Sequence, residues 1–143
     1  MYNRLGGNCL ANSATLSDYR GAGYDRGHLA PAADFSFNTT AMSESFYMSN
    51  MSPQNPSFNR GIWKKLENKV RDWAINDQTI YVVTGGVLTD SLDAIGENQV
   101  SIPNYYYKVV LDYTKPVIKG IGFILPNERS NLSLMNFAVS IDS

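Results

Sequence analysis

The sequence predicts one mixed α+β domain, in which a twisted sheet carries a long helix on one side. Three observations support this prediction. Residues 59–75 repeat apolar side chains at helical spacing, and the segments that follow are rich in β-branched and aromatic residues. The length of 143 residues allows one domain with a real core and is too short for two comfortable ones. We therefore expect a single domain over residues 1–143.

The segments before the helix give weaker signals. Residues 1–23 are rich in Gly, Asn and Ser and are predicted to be loop, followed by a short extended piece over residues 25–28. Residues 30–35 are expected to continue as loop or short helical turns. Residues 41–50 are expected to form a short helix or an irregular segment with three side chains pointing inward, those of Phe46, Tyr47 and Met48.

The helix over residues 59–75 is the best-defined element. Pro53 and Pro56 mark its approach, because proline is tolerated at a helix start and not inside. At about 100° per residue, one stripe collects the side chains that should face the core, Trp63, Leu66, Val70 and Trp73. Asn76 and Asp77 predict its end.

The rest of the chain is typical of a sheet. Strands are predicted at residues 79–88, 104–113, 116–126 and 136–142. The second and third of these are joined by a short turn over residues 113–116, which favours an antiparallel hairpin. Residues 90–101 are predicted to be a polar loop.

Composition excludes several classes of protein. The net charge of −1 gives no broad basic surface, so a polyanion would have to be held by a local cluster or a metal. The single cysteine, Cys9, rules out an internal disulfide and a cysteine-built zinc site. No apolar run approaches the roughly 18 residues that cross a bilayer. The first residues do not show the charged segment followed by an apolar run that is typical of a signal peptide, and this pattern leaves secretion open.

The tetrapeptide Asp25-Arg26-Gly27-His28 holds the only histidine of the sequence. Arg26 places a fixed cation two residues from a base that titrates near neutral pH, and a guanidinium matches phosphate oxygens. Gly27 allows a turn or a close approach of the backbone to a ligand. The combination suits phosphoryl transfer, although a packed or solvated histidine explains the tetrapeptide alone equally simply.

Three residues of the predicted helix join the candidates. Glu67 and Arg71 follow Asn59 at multiples of four residues, so in a continuous helix all three would share a flank beside the core stripe. An exposed ion pair between Glu67 and Arg71 is the ordinary explanation for these two, and a helix cap is the ordinary explanation for Asn59.

The stretches "GYDRGHLAPAADF" and "FYMSNMSPQNPSFNRGIWKKLE" together resemble the DNA/RNA non-specific endonuclease family of the ββα-metal (His-Me finger) superfamily. The second block includes "NRGIWKKLE", and His28 and Asn59 are separated by 31 positions. "YMSN" before "PQ" fits the family's asparagine, here Asn50, and the later "YVVTGG" and "PNE" fit its strands. The resemblance covers residues 13–143.

This resemblance implies an enzyme and assigns its residues. It implies His28 as the general base, Asn59 as the single protein ligand of Mg²⁺ (or Mn²⁺), and Glu67 as the holder of a metal-bound water. It also implies phosphate contacts from arginines and supporting roles for neighbours of the site. The arginines are Arg26 and Arg71, and the supporting residues are Asp25 and Gly27, which shape a turn, and Asn50. Separately, the low net charge predicts that few cations hold nucleic acid, with Lys64 or Lys65 at the edge of the site.

The implied function is a metal-dependent, sugar-non-specific endonuclease that hydrolyses DNA and RNA to 5′-phosphate and 3′-hydroxyl ends, with no membrane partner. The resemblance favours a secreted or periplasmic location. Two alternatives remain at this point: a catalytically silent nucleic-acid-binding module of the same fold, and a phosphodiesterase acting on another phosphate ester. Relatives usually begin with a longer segment that supplies another phosphate-contacting arginine, for which Arg4 and Arg20 are the candidates, so we expect a domain truncated at both ends.

Overall fold

The tetrapeptide with the single histidine forms a strand. The computed structural model describes residues 13–141, and these divide into two compact units. The first unit contains residues 13–56 and 88–103, and the second contains residues 57–87 and 104–141. The chain therefore passes from one unit to the other three times. The single domain over residues 1–143 stays a prediction.

The first unit is built on two short antiparallel strand pairs. β1 (Asp25–His28) pairs with β2 (Met51–Gln54), with His28 opposite Met51. β4 (Ala94–Ile95) pairs with β5 (Val100–Ser101). Short helices complete the unit: α1 (Leu16–Tyr19), α2 (Thr39–Glu44), and the 3-10 turns Ala32–Phe35 and Met48–Asn50.

A small apolar cluster holds the β4–β5 hairpin in the first unit. Tyr19, Ile95 and Ile102 are buried together, and Met48 packs against them. The prediction of plain loop is therefore wrong for residues 90–101, which form the hairpin, and for residues 16–19, which form α1. The rest of the predicted N-terminal loop, up to residue 12, lies outside the described residues.

The second unit is a four-stranded antiparallel sheet with a long helix. The strand order is β3 (Tyr81–Gly86), β6 (Tyr105–Asp112), β7 (Lys119–Pro126) and β8 (Ala138–Val139). The predicted hairpin is confirmed, since β6 and β7 pair from Tyr105 with Pro126 to Asp112 with Lys119. The last strand is shorter than predicted, because Leu134–Phe137 forms a 3-10 turn before it.

α4 (Ile62–Asp77) packs its predicted stripe on this sheet. Trp63 and Leu66 are fully buried and Val70 is 6% exposed, whereas Trp73 is half-buried and stacks on Phe123 with ring centroids 6.2 Å apart. Trp63 also meets Tyr106 of β6, with centroids 5.7 Å apart. The predicted core stripe and the predicted end at Asp77 are both confirmed.

The start of α4 differs from the prediction. A separate turn of helix, α3 (Pro56–Asn59), comes first, and α4 begins only at Ile62. Gly61 stands between them with φ −107° and ψ −109°, and a Cβ there would lie 2.4 Å from the carbonyl oxygen of Ser57. Only glycine fits this approach, and the chain changes direction here. The single helix predicted over residues 59–75 is therefore parts of two separate helices.

Candidate active site

His28 lies at the end of β1 with Arg26 on the same side of the strand. Side chains two positions apart in a strand point to the same face, so the spacing of two residues is enough to place Arg26 on the side of the imidazole. Burial and, second, the positive charge of Arg26 lower the pKa of His28 below its ordinary value of 6.5. Both causes disfavour the imidazolium. The imidazole is therefore held neutral and able to accept a proton at neutral pH.

The imidazole of His28 is oriented by Phe46, an aromatic neighbour whose exposure the sequence analysis did not predict. The ring of Phe46 meets the His28 ring edge-on, with centroids 4.6 Å apart and an interplanar angle of 89°. Among residues 13–141, the buried Nε2 atom of His28 has no hydrogen-bond partner, so a protonated ring would bury an unpaired charged donor. Phe46 and Tyr47 are 52% and 61% exposed, so their predicted inward orientation is wrong, whereas Met48 does pack inward.

Asn50 fastens the chain on both sides of this contact. Its Oδ1 accepts from the Ala30 N–H at 3.0 Å, and its Nδ2 donates to the carbonyl oxygens of Ala30 at 2.9 Å and Ser45 at 2.8 Å. Its own carbonyl oxygen accepts from the Leu29 N–H at 3.0 Å. Ala30 follows His28 by two residues and Ser45 precedes Phe46, so the Asn50 amide fixes the two segments that carry the contacting rings.

Gly27 and Asp25 face the other side of β1. A Cβ on Gly27 would lie 2.1 Å from the side-chain Cδ of Gln54, which packs over it and is fully buried. Gly27 is thus required by the close approach of the Gln54 side chain, since any larger residue would displace it. The prediction that Asp25 and Gly27 shape a turn is wrong, because both lie in a paired strand.

Gln54 is a residue that sequence reasoning did not single out. Both atoms of its amide are buried, and within the described part of the chain neither has a hydrogen-bond partner. A buried amide without partners is costly, by about 1–3 kcal/mol for each unpaired group, and needs a bound water or another polar group beside it. The "PQ" that follows "YMSN" in the family pattern was the available signal.

Asn59 lies at the end of α3 and is half-buried. The residue before the first turn of α4 is Gly61, so Asn59 is not the cap of the long helix. This removes the simplest structural explanation for its place in the motif. It also removes the argument that Asn59 shares one helix flank with Glu67, because the break at Gly61 separates them.

Glu67 and Arg71 lie one turn apart on α4, and both are half-buried. Arg71 donates from Nη1 to Oδ1 of Asn68 at 3.0 Å. Because α4 is continuous over Ile62–Asp77, Glu67 and Arg71 lie on the same side of the helix.

A buried lysine beneath α4 was also missed. Lys108 is 2% exposed, donates from Nζ to Thr84 Oγ1 at 2.7 Å, and lies 5.0 Å from the centroid of the Trp63 ring. The alternation in "YYYKVVLDY" does place it on the same face as the buried Tyr106, and that was the available signal. A cation at this position holds α4 through Trp63 as well as through packing.

A metal site of the usual clustered kind is absent from residues 13–141, where no group of three or more His, Cys, Asp or Glu side chains could hold an ion. None of the helices described is long and apolar enough to cross a membrane. Of the two candidate arginines upstream of β1, Arg4 lies outside the described residues, and Arg20 is exposed at the end of α1.

The strand pair around His28 and the helix that carries Glu67 are the parts of a ββα-metal nuclease. The sequence pattern of the DNA/RNA non-specific endonuclease family matches residues 4–143, and the chain belongs to this family. The family is one of metal-dependent nucleases. The predicted α+β class and the predicted family are thus confirmed.

Named relatives show the same likeness. Endonuclease G, mitochondrial, of Bos taurus is 36% identical over 91% of this chain and 48% of its own length. Nuclease EXOG, mitochondrial, of Mus musculus is 36% identical over 92% of this chain and 40% of its own length. The chain thus spans less than half the length of these two relatives. A chain in a crystal structure of the EndoG/EndoGI complex superposes with a TM-score of 0.79 at 32% identity, covering 89% of this chain and 58% of that one.

Proposed function

We propose that this chain is a Mg²⁺-dependent, sugar-non-specific endonuclease that hydrolyses phosphodiester bonds of DNA and RNA. The observation that carries the proposal is the neutral, oriented imidazole of His28 with Arg26 on the same face of β1, in a chain of the non-specific endonuclease family. A base held neutral and a cation suited to phosphate are the two groups that phosphodiester hydrolysis needs from one strand.

His28 acts as the general base. It takes a proton from a water molecule as the oxygen of that water attacks phosphorus in line with the 3′ oxygen. The P–O3′ bond breaks, the 3′ oxygen gains a proton from solvent, and the products are a 5′-phosphate and a 3′-hydroxyl. The lowered pKa of His28 supports this role, because it keeps the base form populated at neutral pH.

Asn59 would be the protein ligand of the metal. The donor set fits Mg²⁺, which prefers oxygen ligands, keeps several waters and is often held by few protein groups. The described residues lack a carboxylate or histidine cluster, which agrees with an ion held through one amide oxygen and water. When bound, the ion would supply positive charge beside the scissile phosphate and the leaving oxygen. Glu67 would orient a water of that ion.

Arg26 and Arg71 contact phosphate. Each guanidinium offers planar donors that match phosphate oxygens, and Arg26 is exposed on the side of β1 that carries His28. Contacts to phosphate carry no sequence information, and they do not depend on the sugar. Low base specificity and action on both DNA and RNA follow from this.

Two further predictions belong to the same proposal. Residues 1–143 form one nuclease domain, supported by a family match that runs through both units, and we expect a single unfolding transition by circular dichroism and by tryptophan fluorescence. A secreted or periplasmic location stays a prediction beside relatives that are named as mitochondrial, and cell fractionation tests it.

The test is nicking of supercoiled plasmid by the purified chain with Mg²⁺, with and without EDTA, followed by the same assay on RNA and on single-stranded DNA. We expect cleavage of all three substrates, loss with EDTA, and ends that accept a 5′ label only after phosphatase treatment. Binding without cleavage would indicate a silent module, and cleavage of small phosphodiesters alone would indicate another phosphodiesterase. Substituting Mn²⁺ for Mg²⁺ in this assay compares the two metals.

A further inference from the structure

One exposed line of α4 carries donors at regular spacing. Lys64, Asn68 and Arg71 stand at positions i, i+4 and i+7, and at about 100° per residue they lie within about 60° of one another around the helix axis. Lys64 and Asn68 are exposed and Arg71 is half-buried. We call these three residues the α4 donor row.

The side chains of the row are arranged to present hydrogen-bond donors to an anion. Asn68 Oδ1 accepts from Arg71 at 3.0 Å, which turns the acceptor oxygen of the amide toward the guanidinium and leaves the Nδ2 donors pointing away from it. The row thus presents an ammonium, an amide N–H₂ and a guanidinium in sequence, and the carboxylate-bearing Glu67 lies beside it, one turn before Arg71. Its length is bounded, because the next position on this line is the apolar Ile75, which is 72% exposed.

The neighbouring line of α4 is different. Lys65 shares its side of the helix with Asp72, which stands seven residues on and within about 20° of it. Lys69 lies over the ring of Trp73, with Nζ 5.6 Å from the centroid. On this side Lys65 shares its line with a carboxylate-bearing residue, and Lys69 lies against an aromatic ring.

We propose that the α4 donor row is a track for the phosphate backbone of nucleic acid, with Lys64 and Asn68 binding phosphates beyond the one that Arg71 contacts. The row extends about 10.5 Å along the axis at about 1.5 Å per residue. One strand of a duplex places a phosphate about every 3.4 Å of its axis, so the row spans about three intervals between successive phosphates. This inference rests on the proposed function, because it extends the substrate contact of Arg71.

The test compares two single changes with the same loss of charge, Lys64→Gln and Lys65→Gln. Both positions are exposed and lie in the first turn of α4, so both variants should fold. Binding to a short DNA duplex is measured across a salt series without divalent ions, in a chain that also carries His28→Ala. Three cationic contacts, from Arg26, Lys64 and Arg71, predict a slope of log K against log salt of about −3.

Lys64→Gln should reduce the steepness of that slope by about 0.9, whereas Lys65→Gln should leave it unchanged. A second pair adds a negative charge instead. Asn68→Asp should weaken binding at low salt, and Asn76→Asp, which adds the same charge on the Lys65 side, should weaken it much less. Equal effects within either pair would overturn the track, because they would show only a general response to net charge.

Cleavage assays separate this inference from the function on which it rests. With His28 present, Lys64→Gln should raise KM and leave kcat unchanged, because the row binds phosphates away from the reacting atoms. A wild-type chain that cleaves while Lys64→Gln changes neither KM nor the salt slope would overturn the track alone. A wild-type chain that does not cleave would overturn the proposed function, and the salt slopes would still decide the track.

Discussion

Replacing Asn50 by alanine tests whether one half-buried amide holds the surroundings of His28 in place. The Asn50 side chain makes three hydrogen bonds, to the N–H and carbonyl of Ala30 and to the carbonyl of Ser45. Each hydrogen bond contributes about 1 kcal/mol net, so Asn50→Ala should lower the free energy of unfolding by about 3 kcal/mol. The midpoint of urea unfolding should fall by about 1–3 M.

The same change should alter the titration of His28. Without the hydrogen bonds of Asn50, the segments that carry His28 and Phe46 are no longer held together, and water gains access to the imidazole. The pKa of His28 should then rise from its lowered value toward 6.5, because burial is the main cause that lowers it. His28 is the only histidine of the chain, so an NMR titration of the imidazole follows one signal set.

The matched control is Asn38→Ala. Asn38 also accepts two backbone hydrogen bonds through Oδ1, from Thr40 and Ala41, but it caps the exposed helix α2. Loss of this cap should cost about 1 kcal/mol and leave the pKa of His28 in place. The reasoning is refuted when Asn50→Ala matches this control in both stability and His28 titration.

Three further results are expected. His28→Ala should lower cleavage by about 10²–10⁴-fold at equal folded content by circular dichroism, and activity within about tenfold of wild type would remove His28 from the mechanism. Asn59→Ala should raise the Mg²⁺ concentration needed for half-maximal cleavage; an unchanged midpoint together with an unchanged maximal rate would exclude it as a ligand. Arg26→Gln should raise the pKa of His28, because the charge of Arg26 is the second cause that lowers it, so the acid limb of kcat/KM moves to higher pH. Arg20→Gln removes the same charge elsewhere in the first unit, and an equal shift there would contradict a local effect.

The lowered pKa of His28 also sets the sign of its contribution to stability. The unfolded chain binds a proton at about pH 6.5, whereas the folded chain binds it only at lower pH. The folded state therefore holds fewer protons within this window. The contribution of His28 is fully present above pH 6.5 and is lost as the pH falls toward the folded pKa.

The elements that the sequence predicted well are those with a local cause. The stripe of α4 from Trp63 to Val70 follows from the helical period, and the β6–β7 hairpin follows from two apolar runs joined by a turn. The start of α4 was misplaced because the helical pattern continues through Gly61, where the backbone does not. The break depends on the approach of Gly61 to the Ser57 carbonyl, which no periodicity records.

The sequence by itself predicted which residues belong to the candidate site. Two motif blocks at a fixed separation identify the family, and the strand alternation of Arg26 and His28 follows from their spacing of two. These are properties of neighbouring positions, so the order of residues is enough to define them.

Only the tertiary structure decided the state of that site. The neutral form of His28 depends on burial beside Phe46, and the segments that carry these rings are joined through Asn50, which is 20 residues from its partner Ala30. The need for glycine at position 27 arises from the side chain of Gln54 in another strand. Burial and hydrogen bonding join residues that are distant in the chain, and for this reason composition and spacing could not supply them.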